Sequence, residues 1–338
     1  MSESLQSIAK QLVAKKKGIL AADESNSTAG KRLSAICMES NEETRRQYRD
    51  LFLSADGIEE YLSGVILYDE TLRQKANNGM SFVEMLTSKG IIPGIKVDMG
   101  AKDFPGFPEE KVTEGLDGLP LRMKEYYSLG ARFAKWRAVI RINKDIPTDE
   151  CIHVNAILLA RYARIAQDAS LVPIIEPEVL LEGDHDIQTA EEITTKVVSS
   201  VFYQCTRLRV DLSAIILKTS MVLAGNACAV QPSAEEVAEA TVRMLRKSVP
   251  AEVPGVVFLS GGQSAVDATN HLDKIAEKEP LPWEIAFSYA RALQGPALDV
   301  WQGKEENIAS AREVFMKRLS LNQLADEGVY EVDMEECA

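Results

Sequence analysis

The chain has 338 residues, which suits one large domain or two small ones and allows a substantial buried core. Its hydrophobic fraction of 46% and charged fraction of 26% are those of an ordinary globular protein. A formal net charge of −13 argues against a general affinity for nucleic acid or anionic membranes, so an anionic ligand would need a local basic cluster.

Short apolar runs alternate with longer helical patterns from one end of the chain to the other. Each run is rich in β-branched or aromatic residues and apolar on both faces, which is typical of parallel strands buried between two layers. The eight predicted strands are Gly18–Asp23, Gly64–Asp69, Ile92–Asp98, Arg132–Ile140, Val172–Glu178, Ala214–Thr219, Gly255–Gly261 and Ile285–Tyr289.

Helical patterns separate these strands. They are clearest over Glu42–Leu53, Asp149–Ala166 and Ser233–Arg246, and Ser233 with Glu236 forms the sequence pattern of a capping box. Eight strand–helix units predict a single-domain α/β fold, the (β/α)8 TIM barrel. A doubly wound open sheet is the main alternative, but the G-x-G-x-x-G turn that often accompanies it is absent.

We expect residues 1–330 to form the barrel and residues 331–338 a short, loosely held acidic tail. The N-terminus lacks the regions of a signal peptide, and no apolar stretch approaches the ~18 residues of a membrane span. The cysteines are scattered, odd in number and form no C-x-x-C pair, which predicts reduced thiols in a cytoplasmic protein. They are Cys37, Cys151, Cys205, Cys228 and Cys337.

Ionisable groups stand at nearly every predicted strand end, and in a barrel these ends meet at the catalytic face. Three are lysines beside apolar residues, where an ammonium group is costly to bury. The groups are Asp23, Asp69, Lys96, Lys135, Arg137, Glu176, Glu178 and Lys218, followed by Ser260, Gly261, Gly262, Ser288 and Arg291 as residues suited to an anion.

These residue types point to one chemistry. A lysine attacks a ketone as the neutral amine, which neighbouring cations favour, and the resulting iminium accepts electrons from a breaking carbon–carbon bond. Nearby carboxylates can move the protons that the reaction requires. The sequence therefore predicts a Schiff-base lyase acting on a phosphorylated ketose.

Long motifs in a fixed order make the prediction more specific. The strings LAADES, GVILYDETL, GIKVD, FAKWR, PIIEPE, ILKTSMV, FLSGGQS and FSYARALQ resemble those of class I fructose-bisphosphate aldolases over about Gly18 to Tyr330. The resemblance implies reversible cleavage of fructose 1,6-bisphosphate to dihydroxyacetone phosphate and glyceraldehyde 3-phosphate. It also implies a homotetramer without metal or other cofactor, in glycolysis and gluconeogenesis.

The resemblance also implies residue roles. Lys218 matches the Schiff-base lysine, Glu176 the acid/base for carbinolamine dehydration, and Glu178 its acidic neighbour. Asp23 matches the carboxylate that takes the substrate hydroxyl proton, and Lys135 the cation beside the Schiff base. The residues that match the substrate and phosphate sites are Lys96 and Arg137, then Ser260, Gly261, Gly262, Ser288 and Arg291 near the ketone, and Ser25, Thr28 and Arg32 for the other phosphate.

The sequence departs from the animal members of the family at a few positions. Thr219 follows the proposed nucleophile in place of proline, Ala290 replaces glycine, and Thr28 replaces serine. The chain ends in Glu-Glu-Cys-Ala and lacks the longer tail with a terminal tyrosine. These changes bear on turnover, on the preference between bisphosphate and monophosphate substrates, and on proton exchange.

Alternative functions account for less of the sequence. A transaldolase would use the same Schiff-base chemistry without two phosphate sites, and a catalytically inactive barrel could serve as a scaffold for protein partners. The string LSGGQ resembles the signature of ATP-binding-cassette ATPases, but no phosphate-binding G-x-x-x-x-G-K-[ST] loop accompanies it. His153, His185 and His271 lie far apart, which argues against a zinc site.

Overall fold

A computed structural model describes residues 3–336 and contains all eight predicted strands. Their ends differ from the predictions by a few residues, and two further short strands lie between the third and the fourth. In chain order the strands are β1 (Gly18–Ala22), β2 (Leu62–Leu67), β3 (Ile92–Lys96), β4 (Ala101–Phe104), β5 (Phe107–Thr113), β6 (Phe133–Ile140), β7 (Val172–Val179), β8 (Ile216–Thr219), β9 (Gly255–Phe258) and β10 (Glu284–Phe287).

Eight of these strands form one parallel sheet in the order β1-β2-β3-β6-β7-β8-β9-β10. The first and last strands come together where the Ala21 N–H donates a hydrogen bond of 2.9 Å to the carbonyl of Tyr289, just after β10. This contact closes the sheet into a barrel. The prediction of a (β/α)8 barrel is confirmed, and the open doubly wound sheet is excluded.

In the described part of the chain twelve α-helices accompany the strands, and the three helices predicted in detail are present. Ser233 caps α9 with the predicted capping box to Glu236. The helices are α1 (Leu5–Leu12), α2 (Asn26–Ala35), α3 (Glu42–Leu53), α4 (Asp69–Arg73), α5 (Phe82–Ser88), α6 (Leu119–Ser128), α7 (Asp149–Asp168), α8 (Ile187–Arg207), α9 (Ala234–Ser248), α10 (Ala265–Ala276), α11 (Arg291–Trp301) and α12 (Ile308–Asp326). None of the helices within residues 3–336 has the length and apolarity needed to cross a membrane.

The antiparallel hairpin formed by β4 and β5 was not predicted. Its strands are polar and largely exposed, so they lack the apolar run by which a buried strand is recognised. The Pro105-Gly106 turn was the available signal, with Gly106 at a φ of 86°. The chain leaves the sheet after β3, forms the hairpin and returns to the sheet at β6 through α6, so that the base of the hairpin borders the catalytic end of the barrel.

Helix α1 packs against the opposite, N-terminal end of the barrel. Leu12, the last residue of α1, and Val13, which follows it, belong to the apolar cluster inside the barrel. Glycines make this close packing possible, because a Cβ at Gly64 would lie 2.7 Å from Leu12 and one at Gly255 would lie 2.6 Å from Val13. This end is therefore filled with apolar side chains, and polar chemistry is confined to the other end.

The acidic end of the chain is held more firmly than the sequence predicts. Within the described part, residues Val332–Glu335 form a short 3-10 helix, and Glu335 accepts hydrogen bonds of 2.6 Å from Arg318 and 2.9 Å from the Tyr330 hydroxyl. Arg318 is buried on α12, so its charge provides the anchor. Cys337 lies outside the described residues.

Candidate active site

A cleft of about 950 Å³ opens at the C-terminal ends of the strands. It lies at the face where barrels of this kind hold their catalytic groups. Every site residue predicted from the sequence lines this cleft except Gly262. The lining residues among those predicted are Asp23, Ser25, Thr28, Arg32, Lys96, Lys135, Arg137, Glu176, Glu178, Lys218, Ser260, Gly261, Ser288 and Arg291.

The strand register explains why these side chains converge. Lys96 on β3 lies beside Lys135 on β6, and Arg137 lies beside Glu176 on β7. Because side chains alternate between the two faces of a strand, Lys135 and Arg137 point to the same side, as do Glu176 and Glu178. The barrel interior therefore receives two cations from β6 and two carboxylates from β7.

Four buried ionisable side chains form the centre of the cleft, which we call the central cluster: Asp23, Lys135, Glu176 and Lys218. Lys135 Nζ lies 2.6 Å from Asp23 Oδ2 and 3.1 Å from Glu176 Oε2. Lys218 Nζ lies 3.2 Å from the other oxygen, Glu176 Oε1. Both lysine side chains are only 4% exposed. One carboxylate thus separates two buried lysines.

Electrostatic interactions set the charge states in this cluster. Burial would raise the pKa of Asp23, but Lys135, Lys218 and Lys96 outweigh it and hold that pKa well below its ordinary value. Burial would lower the pKa of Lys135, but Asp23, Glu176 and Asp98 raise it instead. The pKa of Glu176 is likewise lowered, since Lys135, Lys218 and Arg137 overcome its burial. The cluster therefore holds Lys135 as a cation and Asp23 and Glu176 as anions.

A second pair of ion pairs lies beside the central cluster. Lys96 Nζ lies 2.6 Å from Asp98 Oδ1 and donates to the Asp98 carbonyl at 2.9 Å, while Arg137 Nε donates to Glu178. Asp98 also accepts a 3.3 Å hydrogen bond from the Arg137 backbone N–H. These contacts hold the charged ends of Lys96 and Arg137 at the cleft wall. Asp98 was not among the predicted site residues.

One corner of the cleft has the features of an anion site. Gly261 and Gly262 have φ values of 39° and 91°, a conformation that favours glycine and exposes backbone N–H groups. Arg291 is the first residue of α11, so its backbone N–H is among the unpaired donors of a helix N-terminus. Ser288 is buried, and its hydroxyl has no hydrogen-bond partner within residues 3–336. We call this the proximal corner.

A second corner, the distal corner, lies across the central cluster at α2. Ser25 is the N-cap of α2, and its hydroxyl lies 3.1 Å from that of Thr28. Arg32 Nη1 donates to Glu24, to the Tyr48 hydroxyl at 2.8 Å and to Gln294 Oε1 at 3.1 Å. Hydroxyls, helix N–H groups and a guanidinium therefore face the cleft together.

Comparison with known proteins identifies the family. The sequence model of class I fructose-bisphosphate aldolase matches residues 4–338. The chain belongs to the class I fructose-bisphosphate aldolases. It is 50% identical to a probable fructose-bisphosphate aldolase class 1 of Xanthomonas campestris pv. campestris over 324 residues, 96% of this chain and 97% of that protein.

Relatives from Plasmodium falciparum agree with this assignment. A fructose-bisphosphate aldolase from that organism is 49% identical over 332 residues, 98% of this chain and 90% of the relative. A solved structure of fructose-bisphosphate aldolase from Plasmodium falciparum, in complex with TRAP and a small-molecule inhibitor, superposes with a TM-score of 0.95. That comparison has 49% identity and covers 97% of this chain and 95% of the other.

The family assignment establishes the reaction class. The activity is that of a lyase: fructose 1,6-bisphosphate is cleaved reversibly to dihydroxyacetone phosphate and glyceraldehyde 3-phosphate through a lysine Schiff base, without a metal. This excludes the transaldolase and ATPase alternatives. No group of three or more potential metal-binding His, Cys, Asp or Glu residues occurs in the described part of the aldolase.

Other residues singled out in the sequence of this aldolase lie outside the central cluster. Asp69 pairs with Arg73 at 3.0 Å on the rim of the cleft. Thr219 is fully buried, and its hydroxyl donates to the Ser220 carbonyl at 3.3 Å. Ala290 lines the cleft beside Arg291. The four cysteines within residues 3–336 are unpaired, as predicted.

Proposed function

We propose that Lys218 is the lysine that forms the Schiff base. The observation that carries this assignment is its position 3.2 Å from a carboxylate that also contacts Lys135. The neutral amine of a lysine is the nucleophile that attacks a ketone, and Glu176 lies close enough to accept a proton from Lys218. Lys135 stays charged because Asp23 and Glu176 raise its pKa. Lys135 is therefore the neighbouring cation and not the nucleophile.

Glu176 serves as the acid/base for Schiff-base formation. The amine of Lys218 adds to the ketone carbon, and the carbinolamine must then lose its hydroxyl as water. Glu176 Oε1 is near enough to Lys218 to exchange protons with groups on this carbon. Glu178 lies two residues along β7 and binds Arg137, which supports a secondary role in placing that arginine.

Asp23 is the base for carbon–carbon cleavage. It takes the proton from the hydroxyl on the carbon that becomes the aldehyde, a C=O bond forms there, and the electrons of the breaking carbon–carbon bond pass into the iminium to form an enamine. Its carboxylate is held ionised by Lys135 and faces the cleft. Protonation of the enamine and hydrolysis of the new iminium then release the second product and restore Lys218.

The two corners hold the two phosphates. We assign the phosphate nearer the ketone to the proximal corner, where an unpartnered Ser288 hydroxyl and the start of α11 offer donors. The other phosphate lies in the distal corner. Lys96 and Arg137 contact the sugar between them. The residues assigned to the distal corner are Ser25, Thr28 and Arg32, and those assigned to the proximal corner are Ser260, Gly261, Gly262, Ser288 and Arg291.

Family membership supports three further proposals. The enzyme acts as a homotetramer, works in the cytoplasm, and needs no metal or organic cofactor. Light scattering coupled to size-exclusion chromatography tests the tetramer. Activity after prolonged treatment with a chelator tests the independence from metal.

Borohydride trapping tests the proposed nucleophile directly. Reduction of the enzyme with dihydroxyacetone phosphate should add one covalent adduct, and peptide mass spectrometry should place it on Lys218. The Lys218→Met variant should take up no adduct, whereas Lys304→Met, at a position outside the cleft lining, should be labelled like the parent. An adduct on Lys135 or Lys96, or activity that resists borohydride and is lost with a chelator, would contradict the proposal.

A further inference from the structure

The guanidinium of Arg32 has two differently used ends. All the hydrogen bonds that it makes within residues 3–336 involve Nη1, which donates to Glu24, Tyr48 and Gln294. The side chain is 16% exposed and lines the cleft. Because Nη1 is bound to protein, Nη2 and Nε remain as the donors for a ligand.

Gln294 is held in one orientation. It is a fully buried residue of α11, and its Nε2 donates a 2.8 Å hydrogen bond to the Ala21 carbonyl. A carbonyl can only accept, so the amide nitrogen must face Ala21 and Oε1 must face Arg32. The Ala21 carbonyl belongs to β1, two residues before Asp23. The amide therefore ties the position of Arg32 to a strand of the barrel.

Tyr48 completes the arrangement from α3. Its ring is fully buried, and its hydroxyl accepts from Arg32 at 2.8 Å while it contacts Gln294 and lies 3.1 Å from Glu24. Burial and the Glu24 carboxylate raise the pKa of this phenol, so it stays protonated and keeps one donor for these acceptors. The Tyr48 hydroxyl therefore accepts a hydrogen bond from Arg32 and donates its own proton to a neighbouring acceptor, Gln294 or Glu24.

We propose that Tyr48 and Gln294 are positioning residues that set the enzyme's preference for a substrate with two phosphates. They hold Nη1 of Arg32 so that the opposite end of the guanidinium faces the distal corner before substrate arrives. The proposal rests on the assignment of the distal phosphate to Arg32. Neither residue reaches the reacting carbons, and each acts through the arginine.

Preorganisation is the physical reason for this arrangement. An arginine that is free in solution loses rotamer entropy when it binds a phosphate, and an arginine already held in place does not. The two anchors come from different elements, α3 and α11, so that neither helix alone sets the direction of the guanidinium. Loss of either anchor should weaken binding of the distal phosphate and leave the central cluster intact.

The test compares two substrates. Fructose 1,6-bisphosphate carries both phosphates and fructose 1-phosphate lacks the distal one, so the ratio of their kcat/KM values reports the distal corner. Tyr48→Phe removes one hydroxyl and should lower this ratio about fivefold, through KM for the bisphosphate. Gln294→Met provides a second variant with the same expected direction. Tyr162→Phe is the matched control, because it removes a buried hydroxyl bound to the Ile174 carbonyl at 3.3 Å.

A double variant separates this proposal from the one on which it rests. In an Arg32→Gln background, Tyr48→Phe should no longer change the ratio. If Arg32→Gln lowers the ratio and both anchor variants leave it unchanged, the positioning role is wrong and the distal phosphate assignment stands. If Arg32→Gln itself leaves the ratio unchanged, the phosphate assignment is wrong. Equal losses on both substrates in the anchor variants would indicate a structural role and overturn the inference.

Discussion

Two buried charge clusters lie side by side at the end of β1 and differ in how fully they are bonded. Asp23 belongs to the central cluster, whereas its neighbour Glu24 belongs to an anchor cluster with Arg32, Arg49, Tyr48 and Gln294. In the central cluster Glu176 Oε2 has no hydrogen-bond partner within residues 3–336, although Lys135 lies 3.1 Å away.

The anchor cluster is saturated by comparison. Glu24 receives Arg32 and Tyr48 on one carboxylate oxygen and Arg49 on the other, and Arg49 also donates to the Glu24 carbonyl at 2.9 Å. Buried polar groups are normally satisfied in this way, and those that are not often mark sites of function. The degree of bonding therefore distinguishes the Glu176 carboxylate, which keeps one oxygen available for substrate, from the Glu24 carboxylate, which stabilises the cleft wall.

The largest effect is expected at the nucleophile. Lys218→Met should lower kcat by roughly 10⁵-fold, because the covalent step is lost. The free energy of unfolding should stay the same or rise, since a polar amine that is costly to bury is removed from a site that is 3% exposed. Steady-state kinetics and urea denaturation measure the two quantities. Activity above about one hundredth of the parent's would contradict the assignment.

Glu176→Gln should have the next largest effect. The substitution keeps the shape and removes the charge between the two lysines, and kcat should fall by about 10²–10⁴-fold, the usual contribution of an acid/base group. Glu178→Gln is the matched comparison two residues along the same strand, and its effect should be smaller because Glu178 contacts Arg137 instead of Lys218. The assignment fails if Glu178→Gln proves the more damaging of the two.

Glu24→Gln should act mainly on stability. The change leaves Arg49, which is 3% exposed, without its charged partner, and should lower the free energy of unfolding by about 3 kcal/mol. Glu239→Gln is the control, because its exposed pair with Arg243 should contribute less than about 1 kcal/mol. Urea denaturation checks both. A full loss of kcat in a variant of parental stability would place Glu24 in the chemistry and break the comparison.

A buried carboxylate outside both clusters gives the smallest effect. Asp326 has one buried oxygen with no partner within residues 3–336, and burial together with nearby Glu279, Glu284 and Glu327 raises its pKa to about 7. A raised folded pKa means that the folded state binds the proton more tightly. The free energy of unfolding should therefore fall as the pH rises from about 4 to about 7, through the unfolded and then the folded pKa.

Asp326→Asn tests this directly. The variant should lose that part of the pH dependence and exceed the parent in stability by about 1–2 kcal/mol at pH 8, where the parent's carboxylate is ionised. At pH 4 the difference should be small, because the parent's carboxyl is then protonated when folded. Urea denaturation across this pH range gives the comparison. The prediction compares the free energy of unfolding of the parent with that of Asp326→Asn at each pH. It is contradicted if the parent gains stability relative to the variant between pH 5 and pH 8.

The barrel could be predicted because two signals coincide in this sequence. Apolar runs mark the strands, and charged residues such as Lys96 and Lys218 mark the ends at which they meet. The predicted run Gly255–Gly261 was too long, since β9 ends at Phe258 and the positive φ of Gly261 takes the chain out of the sheet. The hairpin was missed because a surface strand carries no comparable apolar signal.

The anchor cluster could not be predicted from the same patterns. In the sequence Tyr48 has the pattern of an apolar position on the amphipathic helix α3, and Gln294 is an ordinary polar residue of α11. They are separated by 246 residues, and only the closure of the barrel brings them together. Glu24 stands next to a predicted catalytic residue, yet no local pattern distinguishes its partners from those of Asp23. Asp98 was missed for the same reason.

The joining of β1 to the end of β10 also has a consequence for biosynthesis. Asp23 emerges from the ribosome near the beginning of translation, whereas Ser288 and Arg291 emerge only near its end. The residues proposed to cleave the substrate and to hold its proximal phosphate therefore meet after most of the polypeptide has been made. We expect a ribosome-bound nascent chain that stops before residue 288 to be catalytically silent, which turnover by stalled complexes of defined length would measure.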